Sequence, residues 1–339
     1  MSYALFFVAA LMQAPAAAPA PPPPPAPARG TLLIYAVGDI NLGRNLAKTY
    51  LQHGDTLYPF AQLLDTLRAA DLTFGNLESP IAPDTHKVEG AGVVFTAPGI
   101  AARSLAEAGF DIVSTANNHA WDGGQASVFE TMRRLTAAGV LFVGSGMGRP
   151  MAQEPVIVRV RGWRVGFFAV TRAWNPAPYS FYEHAGANYI AWGDPRWIYP
   201  AIKRLKASHH VDFVIVSVHG GTEYADEPPK YHLDFLKGLV DAGADLVIAH
   251  HPHVLQPVIW YKGTPILQSL GNFVFYQGKP WTQLSAVVRI AVAPAGTIRL
   301  SALPVRAGYQ VTLASGHAAD SVRTRLGLPF TFPATRNPR

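Results

Sequence analysis

The sequence predicts an α/β domain in which two packed sheets are flanked by helices. Three observations carry that prediction. Strand-length apolar runs alternate with helical patterns through residues 31–146 and again through 195–250. Paired short strands occupy much of the rest. Five of the buried runs end in side chains able to hold a metal, at the edge of an α/β sheet where ligands bind.

The elements follow in order. "TLLIYAV" (31–37) reads as a buried strand before Gly38. "YPFAQLLDTLRAA" (58–70) has apolar residues at helical spacing, and "DLTFGN" (71–76) is a strand. "GIAARSLAEAG" (99–109) reads as a helix, "FDIVSTA" (110–116) as a strand, and "QASVFETMRRLTAAG" (125–139) as a helix with glycine after its end. "VLFVGSG" is a strand running into a loop. "PVIVRVRGWRVGFFAVT" (155–171) alternates around Arg161-Gly162 and predicts a hairpin. The aromatic-rich segment 172–194 has no clear period and is assigned to an ordered loop beside the site. A helix at 195–208, a strand at 211–218, a helix at 230–243 and a strand at 244–249 come next. "PVIWYKG", "PILQSLGNFVF", "SAVVRIAVAP" and "GTIRLSALPV" are short strands, and signals weaken from Arg306 onward.

This organisation gives a signal-like apolar leader (1–20), a proline-rich linker (21–30), one domain (31–305) and a partly ordered C-terminal extension (306–339). The leader has an apolar stretch from Tyr3 to Met12 followed by small residues, as in a secretory signal, but no Lys or Arg precedes it. The linker "APAPPPPPAPARG" is a polyproline-like spacer. Together they predict an exported protein, periplasmic or at the cell surface, associated with the envelope. A disordered cytoplasmic tail is the alternative reading.

Of 339 residues, 49% are hydrophobic and 15% charged, enough to bury a sizeable core. A net charge of +6 favours anionic partners or is simply a solvated basic surface. No block of five like charges occurs, so nucleic acid is not indicated. The absence of cysteine excludes disulfides, thiolate metal sites, a cysteine nucleophile and a lipoprotein-type anchor. Any metal must be held by His, Asp, Glu or Asn.

Those residue types stand where a metal cage needs them. Asp39, Glu78, Asn118, His219 and the pair His251 and His253 each follow a different apolar run. Singly, each has a mundane reading: Asp39 a cap, Glu78 a surface carboxylate, "NNH" turn chemistry, His219 a core histidine. The His-Pro-His at 251–253 is the strongest single signal, since a strand-end pair chelates well. A mixed carboxylate, amide and imidazole set suits Mn, Fe(II) or Zn. Six donors exceed one ion's need, and Glu78 could bridge two divalent ions. His119 is cast as a general acid oriented by Asp122. In an extended segment its side chain and that of Asn118 point apart. Arg44 clamps an anion or pairs with a surface carboxylate.

Taken together, "VGDINLGR" (37–44), "GNLESPI" (75–81), "ANNHAWDGG" (116–124), "VHGGTEY" (218–224), "DAGADLVIAHHPHVLQP" (241–257) and "SLGNFVFYQ" (269–277) resemble the CapA (PGA_cap) family of bacterial capsule and poly-γ-glutamate synthesis. That family in turn is similar to calcineurin-like metallophosphoesterases. The resemblance implies a four-layer α/β/β/α sandwich with a di-metal site between the sheets. It matches Asp39, Glu78, Asn118, His219, His251 and His253 to metal ligands and His119 to the Asn-His pair. Glu223 and Asn272 fall in family motifs to which the resemblance assigns no role, and with Asn41 they are candidate substrate contacts. Asn41 stands where phosphoesterases carry a histidine ligand, and Glu78 where they carry a bridging aspartate. Gly220 replaces the family's usual aromatic, and Ala249 replaces a glycine.

The expectation is a CapA-like protein of capsule or exopolymer biosynthesis or export. It hydrolyses an anionic ester bond with divalent metal, and its partner is an anionic substrate or polymer, a phosphoester or poly-γ-glutamate. A general nucleotide or phosphodiester hydrolase would share the site. The alternative from another class is a non-catalytic polyanion-binding or tethering protein with a degenerate metal site.

Overall fold

A computed structural model describes residues 29–82, 93–175 and 189–329. The leader, the linker up to residue 28, the part of the aromatic loop at 176–188 and residues 330–339 lie outside the described residues.

The chain order is β1 (Leu32–Ile40), α1 (Arg44–Thr49), α2 (Leu64–Leu67), β2 (Leu72–Leu77), α3 (Ala101–Ala108), β3 (Ile112–Ser114), α4 (Gly124–Ala138), β4 (Leu141–Val143), α5 (Arg149–Gln153), β5 (Val156–Val160) and β6 (Trp163–Thr171). Then come α6 (Pro195–Ala207), β7 (Phe213–His219), α7 (Lys230–Asp241), β8 (Leu246–His250), β9 (Leu255–Tyr261), β10 (Thr264–Leu270), β11 (Asn272–Val274), β12 (Leu284–Val292), β13 (Ile298–Arg306), β14 (Thr312–Leu313) and α8 (Gly316–Leu326). An eight-stranded sheet runs β14-β13-β12-β1-β2-β3-β4, with β11 also beside β1. A six-stranded sheet runs β5-β6-β7-β8-β10-β9.

Two-residue alternation sorts the side chains into layers. Leu32, Ile34 and Ala36 of β1 meet Phe213 and Ile215 of β7 between the sheets. Tyr35 and Val37 face the other way, toward Leu105 of α3 and Leu135 of α4. Val214, Val216 and Val218 of β7 pack on Ile198 and Ile202 of α6 and on Leu236 and Leu239 of α7. This is the four-layer α/β/β/α arrangement that the resemblance implied. Phe74 and Phe167 bind the two sheets face to face, their ring centres 5.8 Å apart. Each is fully buried, worth about 1.5–3 kcal/mol.

One irregularity positions the site. Between β1 and β2 the register advances from Ala36↔Phe74 to Asp39↔Asn76, so β1 carries one residue more than its partner. This bulge re-aims the side chains beyond it and brings Asp39 onto the face shared by Asn76. Gly38 is required there: a Cβ would lie 2.0 Å from the Gly271 carbonyl oxygen. At that point β11 replaces β12 beside β1, and Asp39 pairs with Asn272.

Three expectations change. Residues 58–63 form a 3-10 turn, and only Leu64–Leu67 is α-helical. The three-residue spacing of buried Phe60 and Leu63 suits the tighter turn. "PILQSLGNFVF" is two strands in different sheets, because Gly271, at φ 63°, turns the chain across the gap. The C-terminal segment contains a helix, α8, whose Val322 and Leu326 seal the inter-sheet core. Its few apolar residues gave little periodic signal. Among the described residues, no helix is long and apolar enough to cross a membrane.

Candidate metal centre

The carboxyl ends of β1, β2, β3, β7 and β8 converge between the sheets. Asp39, Glu78 and His219 are wholly buried, and Asn118, His251 and His253 nearly so. Three donor atoms cluster around one ring nitrogen. His219 Nε2 lies 2.7 Å from Asn118 Oδ1, 3.2 Å from His251 Nδ1 and 3.7 Å from Glu78 Oε1. A second group shares Glu78: Oε1 is 3.7 Å from His253 Nε2, and His253 Nδ1 is 3.4 Å from Asp39 Oδ2. All six predicted ligands are therefore brought together. In three overlapping triads, Glu78–His219–His251, Asp39–Glu78–His253 and Glu223–His251–His253, the ligand atoms lie within 4.8 Å of one another.

Glu78 tests whether the residues fit a cation. Both its oxygens are buried, and neither has a hydrogen-bond partner. Burial pushes its carboxyl well above the usual range, with Asp39 and Glu223 adding to the rise against His253. A buried carboxylate without donors is costly unless a cation compensates it. The imidazoles fit as well. Burial and neighbouring imidazoles hold His219 well below its ordinary value and His251 at about 3, so both keep the lone pair that a metal needs. His253 differs: burial opposes its charge, yet the Glu78 and Asp39 carboxylates push it up to about 9. It is the proton holder of this acidic cage, where a divalent ion would take the proton's place.

Surrounding groups set the orientation of these side chains. Asn76 donates to Asp39 Oδ1 at 2.8 Å and lies 3.1 Å from His219 Nδ1. The His251 backbone N–H donates to Asp39 Oδ2 at 3.3 Å. Burial would raise the Asp39 pKa, but the His250 and His253 imidazoles hold it well below the usual range. His253 Nδ1 is 2.9 Å from Asn272 Oδ1, so the Nδ1–H donates there and Nε2 faces Glu78. His251 and His253 have φ of 100° and 58°. Such strain, about 1–3 kcal/mol per residue, is characteristic of functional sites.

Beside this cage, His119 Nδ1 bonds Asp122 Oδ2 at 2.8 Å, and the ring stacks on Phe95 at 3.8 Å. The segment turns rather than extends, so Asn118 and His119 do not diverge: both reach Asn175, at 2.6 and 3.2 Å. Arg44 lies over Phe95, 5.6 Å from the ring centre. A cleft of about 410 Å³ opens here, lined by Arg44, His119, Glu223 and His253 among others. Asn41 does not line it. Its Oδ1 accepts from the Gly43 N–H at 2.9 Å, closing a local turn. Asn272 is wholly buried and reaches the site through His253.

Sequence reasoning missed Asn76, His250 and Asn175. Asn76 shares the inward face of β2 with Phe74, and a polar residue at such a position is a usable signal. His250 continues the inward series Leu246, Ile248, and its Nδ1 lies 3.4 Å from Asp39 Oδ1. Asn175 comes from a loop without periodicity, and nothing local marks it.

A model of the family described as bacterial capsule synthesis protein PGA_cap matches residues 33–277. The chain is 30% identical over 272 residues to PGA biosynthesis protein CapA of Bacillus subtilis (strain 168), covering 79% of this chain and 70% of that protein. It is 32% identical over 279 residues to capsule biosynthesis protein CapA of Bacillus anthracis, covering 81% and 67%. Among solved structures, a hypothetical protein from Thermus thermophilus superposes with a TM-score of 0.50 at 20% identity, covering 81% of this chain and 99% of that one. That likeness bears on the fold alone.

Proposed function

This chain belongs to the bacterial capsule synthesis protein PGA_cap family, and from that premise we propose that it acts in the synthesis or export of an anionic exopolymer of poly-γ-glutamate type. In this reading its buried centre hydrolyses an anionic ester bond. The observation that carries the reading is Glu78, a fully buried carboxylate with no donor, facing three histidines. Asp39, Glu78 and His253 would hold one divalent ion, and Glu78, Asn118, His219 and His251 another. When bound, such ions lower the pKa of water and draw charge from an ester oxygen. His119, steadied by Asp122, donates a proton to the leaving oxygen. Arg44 holds the negative charge of the substrate at the mouth of the cleft. The apolar leader and the proline-rich spacer support an exported, envelope-associated protein, which cell fractionation would test.

Elemental analysis of the purified chain, followed by assay of phosphomonoesters and phosphodiesters with added Mn, tests the enzymatic reading. Bound divalent metal, with hydrolysis lost in His251→Ala, is the expected result. A chain that takes up no metal and cleaves no ester sinks it.

One observation favours the non-catalytic alternative. Arg44 also lines an adjoining cleft of about 580 Å³ with Lys48 and Arg134, a basic surface suited to a polyanion. In that case polymer retention survives His251→Ala and falls as salt rises.

A further inference from the structure

Glu223 lies in the loop between β7 and α7, and its carboxylate comes within 4.8 Å of the ring nitrogens of His251 and His253. We propose that Glu223 is a metal ligand, supplying from this loop a carboxylate donor beside His251 and His253. The inference rests on the metal-site reading above.

His251 and His253 present two imidazoles side by side, and Glu223 completes a triad with them whose ligand atoms all lie within 4.8 Å of one another. Asn41, just past β1, turns its amide oxygen to the Gly43 N–H at 2.9 Å and does not line the cleft. The unpartnered oxygens of Glu78 independently mark the cage as built for a cation rather than as a chance group of acids.

Glu223 is held in register with that cage. The N–H of the next residue, Tyr224, donates to the carbonyl of Pro252 at 2.8 Å, and Pro252 is the residue between the two histidines. Tyr224 sits at φ 62°, a strained conformation for a non-glycine residue. Its ring is covered by the Lys279 ammonium, 3.6 Å from the ring centre. The backbone is thus fixed against the His-Pro-His turn, while the Glu223 side chain, exposed at the mouth of the cleft, keeps the freedom to swing toward an ion. A carboxylate is also the right chemistry, since a hard or borderline divalent ion prefers an anionic oxygen to an amide.

The test is a calorimetric titration of the metal-stripped full chain with Mn²⁺, comparing wild type with Glu223→Gln. The variant keeps side-chain length, and a thermal melt without metal verifies that it folds. Wild type should bind Mn²⁺, and Glu223→Gln should lose about tenfold or more in affinity for one ion. Superimposable isotherms would overturn the assignment, even if hydrolysis fell, because Glu223 would then act on substrate alone. Wild type that binds no Mn²⁺ would overturn the metal reading and this ligand together.

Discussion

His253 directs its Nδ1 to Asn272 Oδ1 at 2.9 Å, and that bond leaves Nε2 as the nitrogen facing Glu78. The two residues come from different sheets: Asn272 opens β11, beside β1, while His253 follows β8. Asn272→Ala removes the acceptor that fixes the ring. Metal affinity should fall about 10- to 100-fold, the usual effect of losing an outer hydrogen-bond partner. Mn²⁺ titration measures this, and unchanged affinity would show that the ring is held by packing alone.

Glu78→Gln should separate two properties. Burial already drives this carboxyl toward its neutral form when no metal is bound, so a neutral amide of the same size should leave the metal-free protein about as stable as before. The same change should weaken metal binding. Melting curves in chelator and in Mn²⁺ give both quantities. A residue that serves only the fold would lower both melting temperatures.

Asp122→Asn tests the proposed acid. The carboxylate bonds His119 Nδ1 at 2.8 Å and also accepts from the Phe95 N–H at 2.7 Å. Losing its charge should lower hydrolysis about 100-fold or more for substrates with poor leaving groups. A nitrophenyl ester, whose leaving group needs no proton, should be far less affected. Metal content should not change, and an equal loss with both substrates would remove His119 from proton donation.

His232, on α7, gives a pH dependence. It is 1% exposed, and both ring nitrogens lack a hydrogen-bond partner. Burial, aided by the nearby Arg172 charge, holds it at about 4, below its ordinary 6.5. A folded-state value lower than the unfolded one means that the unfolded chain binds the extra proton. Stability from this group is therefore complete above pH 6.5 and is lost as pH falls toward 4, by about 3 kcal/mol. Urea unfolding of the metal-stripped protein at pH 7 and pH 4 should show His232→Leu losing less stability than wild type over that range. Parallel losses would contradict the assignment.

Gly38→Ala joins the fold to the site. The new Cβ would lie 2.0 Å from the Gly271 carbonyl oxygen, and backbone cannot yield as a side-chain tip can. A loss of about 3 kcal/mol in stability is expected, together with weaker metal binding, because the bulge aims Asp39. Chemical denaturation and Mn²⁺ titration measure both.

Much of this was legible in the chain. The strands β1, β2, β3, β7 and β8 are short apolar runs, and each is followed by a residue able to hold a metal. Local hydrophobicity and side-chain chemistry fix those facts, so Asp39, Glu78, Asn118, His219, His251 and His253 could be named before any coordinates. The helix at 58–70 and the single strand at 265–275 were misread, because three-residue spacing and a glycine crossing between sheets mimic regular elements over a short window.

Other features depended on neighbours that no local pattern specifies. The extra residue at Gly38 is defined only by the strand beside it. The partnership of Asn272 with His253 exists because β11 lies against β1 while β8 closes from the other sheet. Asn41 is the mirror case: its position promised a site residue, yet a neighbouring N–H took its oxygen. Alternation along a strand determines which residues can face inward. Which of them meet, and at what distance, is set by packing between segments far apart in sequence, where register, bulges and crossings decide every contact.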